Sequence, residues 1–192
     1  MTYSPPLILA LGDSLIAGYG LAAVESFPAQ LEASLQVRFP GARVVNAGVS
    51  GNTTADVLRR LPRILSGMTR RPALAIVQVG PNDVLRQVVP LRTSADLDQI
   101  LSSLNDCGIP ILLTTVEPPM FIRDRASAYL GIHETLAALH GATVWPFFPP
   151  GVLGRADMVL ADRVHPNGKA IAAVVAAMIR TVETFPNLKA LL

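Results

Sequence analysis

One cysteine, Cys107, stands in 192 residues, so no internal disulfide can staple the chain. No apolar run approaches the roughly 18 residues that a spanning helix requires, and stable membrane insertion is not expected. Charge of neither sign dominates: 16 Lys and Arg against 14 Asp and Glu leave a net +2. The one basic cluster, Arg59, Arg60, Arg63, Arg70 and Arg71, has no aromatics among it. It reads as a solvated helix face, and no nucleic-acid partner is expected. No His, Cys, Asp and Glu grouping has metal-ligand spacing, and no G-x-G-x-x-G is present, so neither a metal nor another cofactor is expected. The opening MTYSPP lacks a basic stretch and a small-residue cleavage site. A cytoplasmic protein is therefore expected, or a periplasmic or secreted one if a leader has been removed.

What the chain does have is apolar residues, 51% of it, with a mean hydropathy of +0.43. That argues against disorder and suffices to bury the core of one domain, expected over residues 1–192. Apolar runs alternate with amphipathic segments. Leu7–Gly12, LILALG, reads as a strand covered on both faces. A helix follows from about Ser26, with that serine as its cap and Pro28 in its first turn. Further strands are expected over 42–48, 73–80, 109–116 and 142–147, and helices over 52–65, 94–108, 123–140 and 166–184. In 52–65, Val57, Leu58, Leu61, Ile64 and Leu65 fall on one stripe, with a kink expected at Pro62. Ser94 and Gly108 are the expected cap and stop of the 94–108 helix, and Cys107 beside them reads as a small buried hydrophobe. The pattern specifies an α/β fold: a three-layer α/β/α arrangement around a flavodoxin-like, doubly wound, five-stranded parallel sheet. The closing LKALL can pack on its own domain or on a partner, which leaves a homo-oligomer open.

Ligands of such sheets bind at the carboxyl ends of the strands. Four short motifs fall on that edge: GDSL, GVSGNT, GPND and DRVHPNG. Each alone is ordinary turn or capping chemistry. A serine such as Ser14 needs a base to become a nucleophile. Of the three histidines, His133 is expected to pack or face solvent, and His140 suits a helix C-terminus. His165 is preceded by Asp162 at a spacing that lets the carboxylate hold Nδ1–H and leave Nε2 free. Gly51 can bring its main-chain N–H close to a ligand, and Asn82 can offer a side-chain N–H, as an oxyanion hole requires. Asp13 and Asp83 read as organisers of the surrounding main chain. The joint occurrence carries more weight than any one motif.

GDSLIAGYGL, NAGVSGNTT, VGPNDVLR and DRVHPNG together resemble the four blocks of the SGNH hydrolases, the GDSL esterase/lipase family, over residues 7–173. The form is most similar to the thioesterase, lysophospholipase and arylesterase-like branch. The resemblance implies Ser14 as nucleophile, His165 as base and Asp162 as its orienting acid. It implies an oxyanion hole made of the Ser14 and Gly51 N–H groups and the Asn82 side chain. Two departures stand out: Pro81 where this branch has glycine, and Asn52 where an aspartate is common. No G-x-S-x-G elbow is present, so the unrelated α/β-hydrolase arrangement is a poor competitor.

The expected activity is hydrolysis of carboxylic esters with aryl or short-to-medium acyl groups, and of thioesters, through an acyl-serine. Segments 84–90 and 117–123 are the expected walls of the substrate site, with Leu85, Arg86, Met120 and Phe121 as candidate contacts. Their apolar character suits an acyl or aryl group, so the expected partner is a small-molecule ester. The competing readings are an acyltransferase or carbohydrate deacetylase on the same residues, and a non-catalytic ligand-binding module.

Overall fold

The computed structural model describes residues 4–118 and 120–189 and, of these, every side chain but those of Phe121 and Lys189. Five strands, β1 (Leu7–Gly12), β2 (Arg43–Gly48), β3 (Leu74–Gln78), β4 (Ile111–Thr115) and β5 (Thr143–Pro146), pair in parallel in the order β2-β1-β3-β4-β5. The helices between and after them are α1 (Ser14–Ala17), α2 (Phe27–Gln36), α3 (Thr54–Ser66), α4 (Pro81–Leu85), α5 (Pro90–Asp106), α6 (Arg123–Ala126), α7 (Ile132–His140), α8 (Gly168–Glu183) and α9 (Pro186–Lys189). This is the doubly wound α/β sheet that the sequence pattern calls for.

Strand β1 is buried along its whole length because its side chains feed both layers in alternation. Ile8 and Ala10 enter one core with α2 and α8, through Leu31, Leu35, Val174 and Met178. Leu9 and Leu11 enter the other with α3, α5 and α7, through Val57, Leu61, Leu101 and Leu136. At the carboxyl end of β1 the chain turns toward α1, and β2 and β3 flank it on opposite sides. Such a switch point leaves a crevice between diverging connections.

Several local expectations change. Ser26 sits at the start of α2, but its hydroxyl donates to the Ala23 carbonyl (2.8 Å) instead of capping the helix. Helix α5 begins at Pro90, so Ser94 lies inside it; a first-turn proline has no N–H that needs a partner. The expected 123–140 helix is broken at Gly131, whose φ of 81° lies in the left-handed region, and only Ile132–His140 forms its second part. Cys107 ends α5 as an exposed thiol rather than a buried one. Helix α3 runs through Pro62 without interruption of its span. Of the LKALL tail, Leu188 is fully buried, and residues 190–192 lie outside the described residues.

The end of β2 shows how closely the site edge is packed. A Cβ placed on Gly48 would lie 2.2 Å from the Ala17 N and 2.7 Å from the Ile16 carbonyl carbon. Only a residue without a side chain lets α1 rest on this strand. Gly48→Ala is expected to push α1 away at a cost of about 1–3 kcal/mol. Urea unfolding measures it, and an unchanged midpoint would contradict this account of the α1–β2 contact.

Candidate active site

The four motifs converge on the carboxyl edge of the sheet. Ser14 opens α1 immediately after β1. The Asp13 carboxylate caps that short helix by accepting the Leu15 N–H at 3.0 Å. On the far side, segment 158–167 is pinned as an antiparallel bridge between Val159 and Pro166. Asn167 then caps α8 by accepting the Ala170 N–H. Between these anchors Arg163 takes a φ of 57°, and the turn folds back on Asp162. Asp162 Oδ1 accepts the main-chain N–H groups of both Val164 and His165, each at 3.0 Å. Its Oδ2 lies 2.7 Å from His165 Nδ1. These donors, the two main-chain N–H groups first, hold the Asp162 carboxyl well below its usual range, at about 2. An ionised Asp162 fixes the proton of neutral His165 on Nδ1. The opposite nitrogen, Nε2, lies 3.1 Å from Ser14 Oγ, across 151 residues of sequence. Tyr19 packs its ring on the imidazole with centroids 4.5 Å apart. Nothing in AGYGL points to this contact, because the imidazole that Tyr19 meets is distant in the chain.

Gly51, with φ of 79°, forms the loop after β2. Among the described residues, the N–H groups of Ser14 and Gly51 donate to no protein acceptor. Asn82 stands on the first turn of α4, where Pro81 occupies a position that a helix tolerates well. Its Nδ2 donates to Asp13 Oδ2 (3.2 Å) and to the Asn52 carbonyl (3.1 Å). The amide is thus oriented by two acceptors, and both of its hydrogens already point at protein oxygens. A further acceptor in the site would take one of them by three-centre sharing.

The two aspartates beside these groups organise the main chain, as read from the sequence. Asp83 is fully buried and accepts from the Thr54 N–H (3.0 Å), the Thr54 hydroxyl (2.6 Å) and the Thr93 hydroxyl (3.2 Å). It ties the starts of α3 and α5 to α4. Burial, the dominant cause, raises its carboxyl above the usual range. Burial also pushes Asp13 up to about 6, against the stabilising Leu15 N–H. The Gln78 amide beneath it draws the carboxyl back down, although neither Gln78 polar atom forms a full hydrogen bond among the described residues.

The basic cluster divides. Arg59 is exposed and pairs with Asp56, and Arg63 is exposed. Arg60 turns inward, contrary to the solvated face expected for all five. Its Nε donates to Asn52 Oδ1 and its Nη2 to the Gly12 carbonyl, both at 2.8 Å. No local pattern distinguishes Arg60 from Arg59; the difference lies in what α3 faces. His133 packs, as one of its two expected readings had it. It is half-buried, desolvation lowers its pKa, and its Nε2 lies 2.9 Å from the Val79 carbonyl.

An apolar cavity of about 150 Å³ opens against the turn that carries Asn82, lined by Gly80, Pro81, Val84, Pro118, Ile122 and His133. It lies between the two segments expected as walls. Leu85 and Met120 are themselves exposed. The Phe121 side chain is outside the described residues. Arg86 lies over the second motif, its Nη2 3.3 Å from where a Gly51 Cβ would be. Among the described residues, no three His, Cys, Asp or Glu side chains are grouped to hold a metal ion, and no helix is long and apolar enough to cross a membrane.

With this geometry in view, the chain is similar to known proteins along nearly its whole length. The arylesterase of Vibrio mimicus is 30% identical over 164 residues, which cover 85% of this chain and 81% of that protein. Thioesterase 1/protease 1/lysophospholipase L1 of Escherichia coli strain K12 is 32% identical over 181 residues, 94% of this chain and 85% of that one. The crystal structure of AlinE4, an SGNH-hydrolase family esterase, matches with a TM-score of 0.77 at 40% identity, over 95% of this chain and 97% of that one. The model of the GDSL-like lipase/acylhydrolase family matches residues 10–173, and the chain belongs to that family.

Proposed function

We propose that this chain is a serine esterase that cleaves carboxylic esters with aryl or short-to-medium acyl groups, and thioesters, through an acyl-Ser14 intermediate. The observation that carries the reading is the continuous relay from Ser14 Oγ through both nitrogens of His165 to Asp162. His165 Nε2 takes the Ser14 proton as Oγ attacks the carbonyl carbon. The imidazolium that forms is stabilised by the ionised Asp162. The same proton then goes to the departing alkoxide, phenolate or thiolate. His165 next activates water to release the acid and regenerate Ser14.

The developing oxyanion is assigned to the uncommitted N–H groups of Ser14 and Gly51, with Asn82 sharing one of its hydrogens. The apolar cavity beside Asn82 is assigned to the acyl or aryl group. Its volume of about 150 Å³ is of the order that accommodates a benzene ring. The names of the relatives, an arylesterase and a thioesterase, agree with both leaving-group classes.

The test is turnover of p-nitrophenyl esters from acetate to palmitate, with an acyl-CoA series and Ser14→Ala alongside. Activity is expected to vanish in Ser14→Ala and to peak at short or medium chains. Equal background rates in both proteins would mean a binding module rather than an enzyme. Asn82→Ala is expected to lower kcat by about 10²–10³, and a variant with full kcat would remove Asn82 from the oxyanion assignment.

The buried Asp13 generates a further expectation. Its carboxyl titrates near 6 when folded, against 3.8 as the ordinary value. Between those values the folded protein holds a proton that the unfolded chain has released, so this group's contribution to stability falls as pH rises from about 4 to 6 and levels off above. Asp13→Asn removes that dependence. Relative to wild type, the variant is expected to lose on the order of 2 kcal/mol of advantage between pH 7 and pH 4. Urea unfolding at the two pH values decides, and a difference that does not move with pH would count against the buried carboxylate.

A further inference from the structure

We propose that Arg60 is a positioning residue for this reaction: its guanidinium clamps the end of β1 to the loop after β2, and so sets the distance between the Ser14 nucleophile and the Gly51 N–H. The proposal rests on the esterase reading. The Gly12 carbonyl is two residues before Ser14 and receives Arg60 Nη2 at 2.8 Å. Asn52 follows Gly51 directly, and its Oδ1 receives Arg60 Nε, also at 2.8 Å. The carbonyl of the same Asn52 accepts from Asn82. One fork therefore reaches the first two motifs directly and the third through one residue.

The carrier is rigid. Helix α3 is held at its start by the Thr53–Asp56 capping box and by Asp83 on the Thr54 N–H. Val57 and Leu61, on either side of Arg60, are fully buried. A planar guanidinium presents two donors in fixed geometry, which a lysine ammonium cannot reproduce. Folding depends on the clamp less than alignment does. The Gly12 carbonyl keeps the Val49 N–H at 3.0 Å as a partner when the guanidinium is removed, and Asn52 is only partly buried, so water can replace the arginine there. What water does not supply is a common rigid anchor.

The experiment compares Arg60→Met, Arg60→Lys, Asn52→Ala and Arg59→Met with wild type on p-nitrophenyl butyrate, with Ser14→Ala as the background. Each protein is also titrated with an organophosphonate that labels Ser14, and its thermal midpoint is recorded. Arg60→Met is expected to lower kcat about 10- to 100-fold with KM within about twofold, since misplacement of the order of 1 Å carries that penalty. The phosphonylation rate should fall by a similar factor. Arg60→Lys should lie between wild type and Arg60→Met, and Arg59→Met, which removes an equal charge from the exposed face, should match wild type. In one further variant, Arg60→Ala, added methylguanidinium should restore part of the rate.

A folded Arg60→Met protein with wild-type kcat and phosphonylation rate overturns the proposal. So does a loss shared equally by Arg59→Met, which would make it a matter of net charge. If Arg60→Met does not fold, Arg60→Lys and Asn52→Ala decide, and wild-type kcat in both overturns it. Turnover that survives Ser14→Ala defeats the esterase reading and this proposal with it, a result distinct from Ser14-dependent turnover that is indifferent to Arg60.

Discussion

The site hangs from the point where β1 runs out of strand. Up to Gly12, each residue of β1 is fixed by neighbours on both sides and by apolar packing above and below. After Gly12 the chain must leave the sheet, and its last carbonyl is held by Val49 and Arg60. A Cβ at Gly12 would stand 2.1 Å from the Gln78 carbonyl oxygen, so the strand can end this close to β3 only as glycine. Ser14 inherits its position from that constraint. The rest of the candidate site consists of other chain segments brought to meet it.

The cost of the arrangement is visible in the groups around it. Asp13 is buried beside a second buried carboxylate, Asp83, and above a glutamine whose amide lacks a full partner among the described residues. Arg163 holds a left-handed backbone conformation that a non-glycine residue adopts at a cost of order 1–2 kcal/mol. Such features weaken a fold unless they serve it elsewhere. Here the strained turn aims two N–H groups and His165 at one carboxylate, and the buried Asp13 both caps α1 and turns the Asn82 amide toward the site. Stability is surrendered at the edge of the sheet and supplied by the two apolar layers beneath.

The architecture was legible because burial on both faces leaves a mark in the sequence. LILALG could hardly be anything but an inner strand, and β1 has the bounds expected. The meeting of Ser14, Asp162 and His165 was legible because their motifs fall on turns at one edge of the sheet. The misreadings have two physical sources. Ser26 and the start of α5 are settled by local competition, from the Ala23 carbonyl and from Pro90, whereas the direction of Arg60 is settled by acceptors distant in sequence. Arg59 and Arg60 are identical side chains on successive positions of one helix. A rotation of about 100° per residue sends one to solvent and the other to an acceptor 48 residues away. Tyr19 escaped for the same reason, since its value comes from a histidine that joins it only in the folded chain.

Asn82 illustrates why a motif and a mechanism differ. From sequence it is a free donor; in the structure both of its hydrogens have acceptors. The same contacts that occupy the amide also decide which way it faces, because a carboxylate and a carbonyl can only accept. A freely rotating asparagine would present its oxygen to the site about as readily as its nitrogen, and an oxygen there would repel the developing charge. Orientation thus takes precedence over availability. It is obtained from Asp13 and Asn52, and Asn52 is in turn held by Arg60. The aspartate common at this position in the family would accept from Arg60 through its side chain equally well, and its main-chain carbonyl is the same group. The Asn52 found here keeps both contacts of the loop while leaving one negative charge fewer beside the proposed oxyanion position.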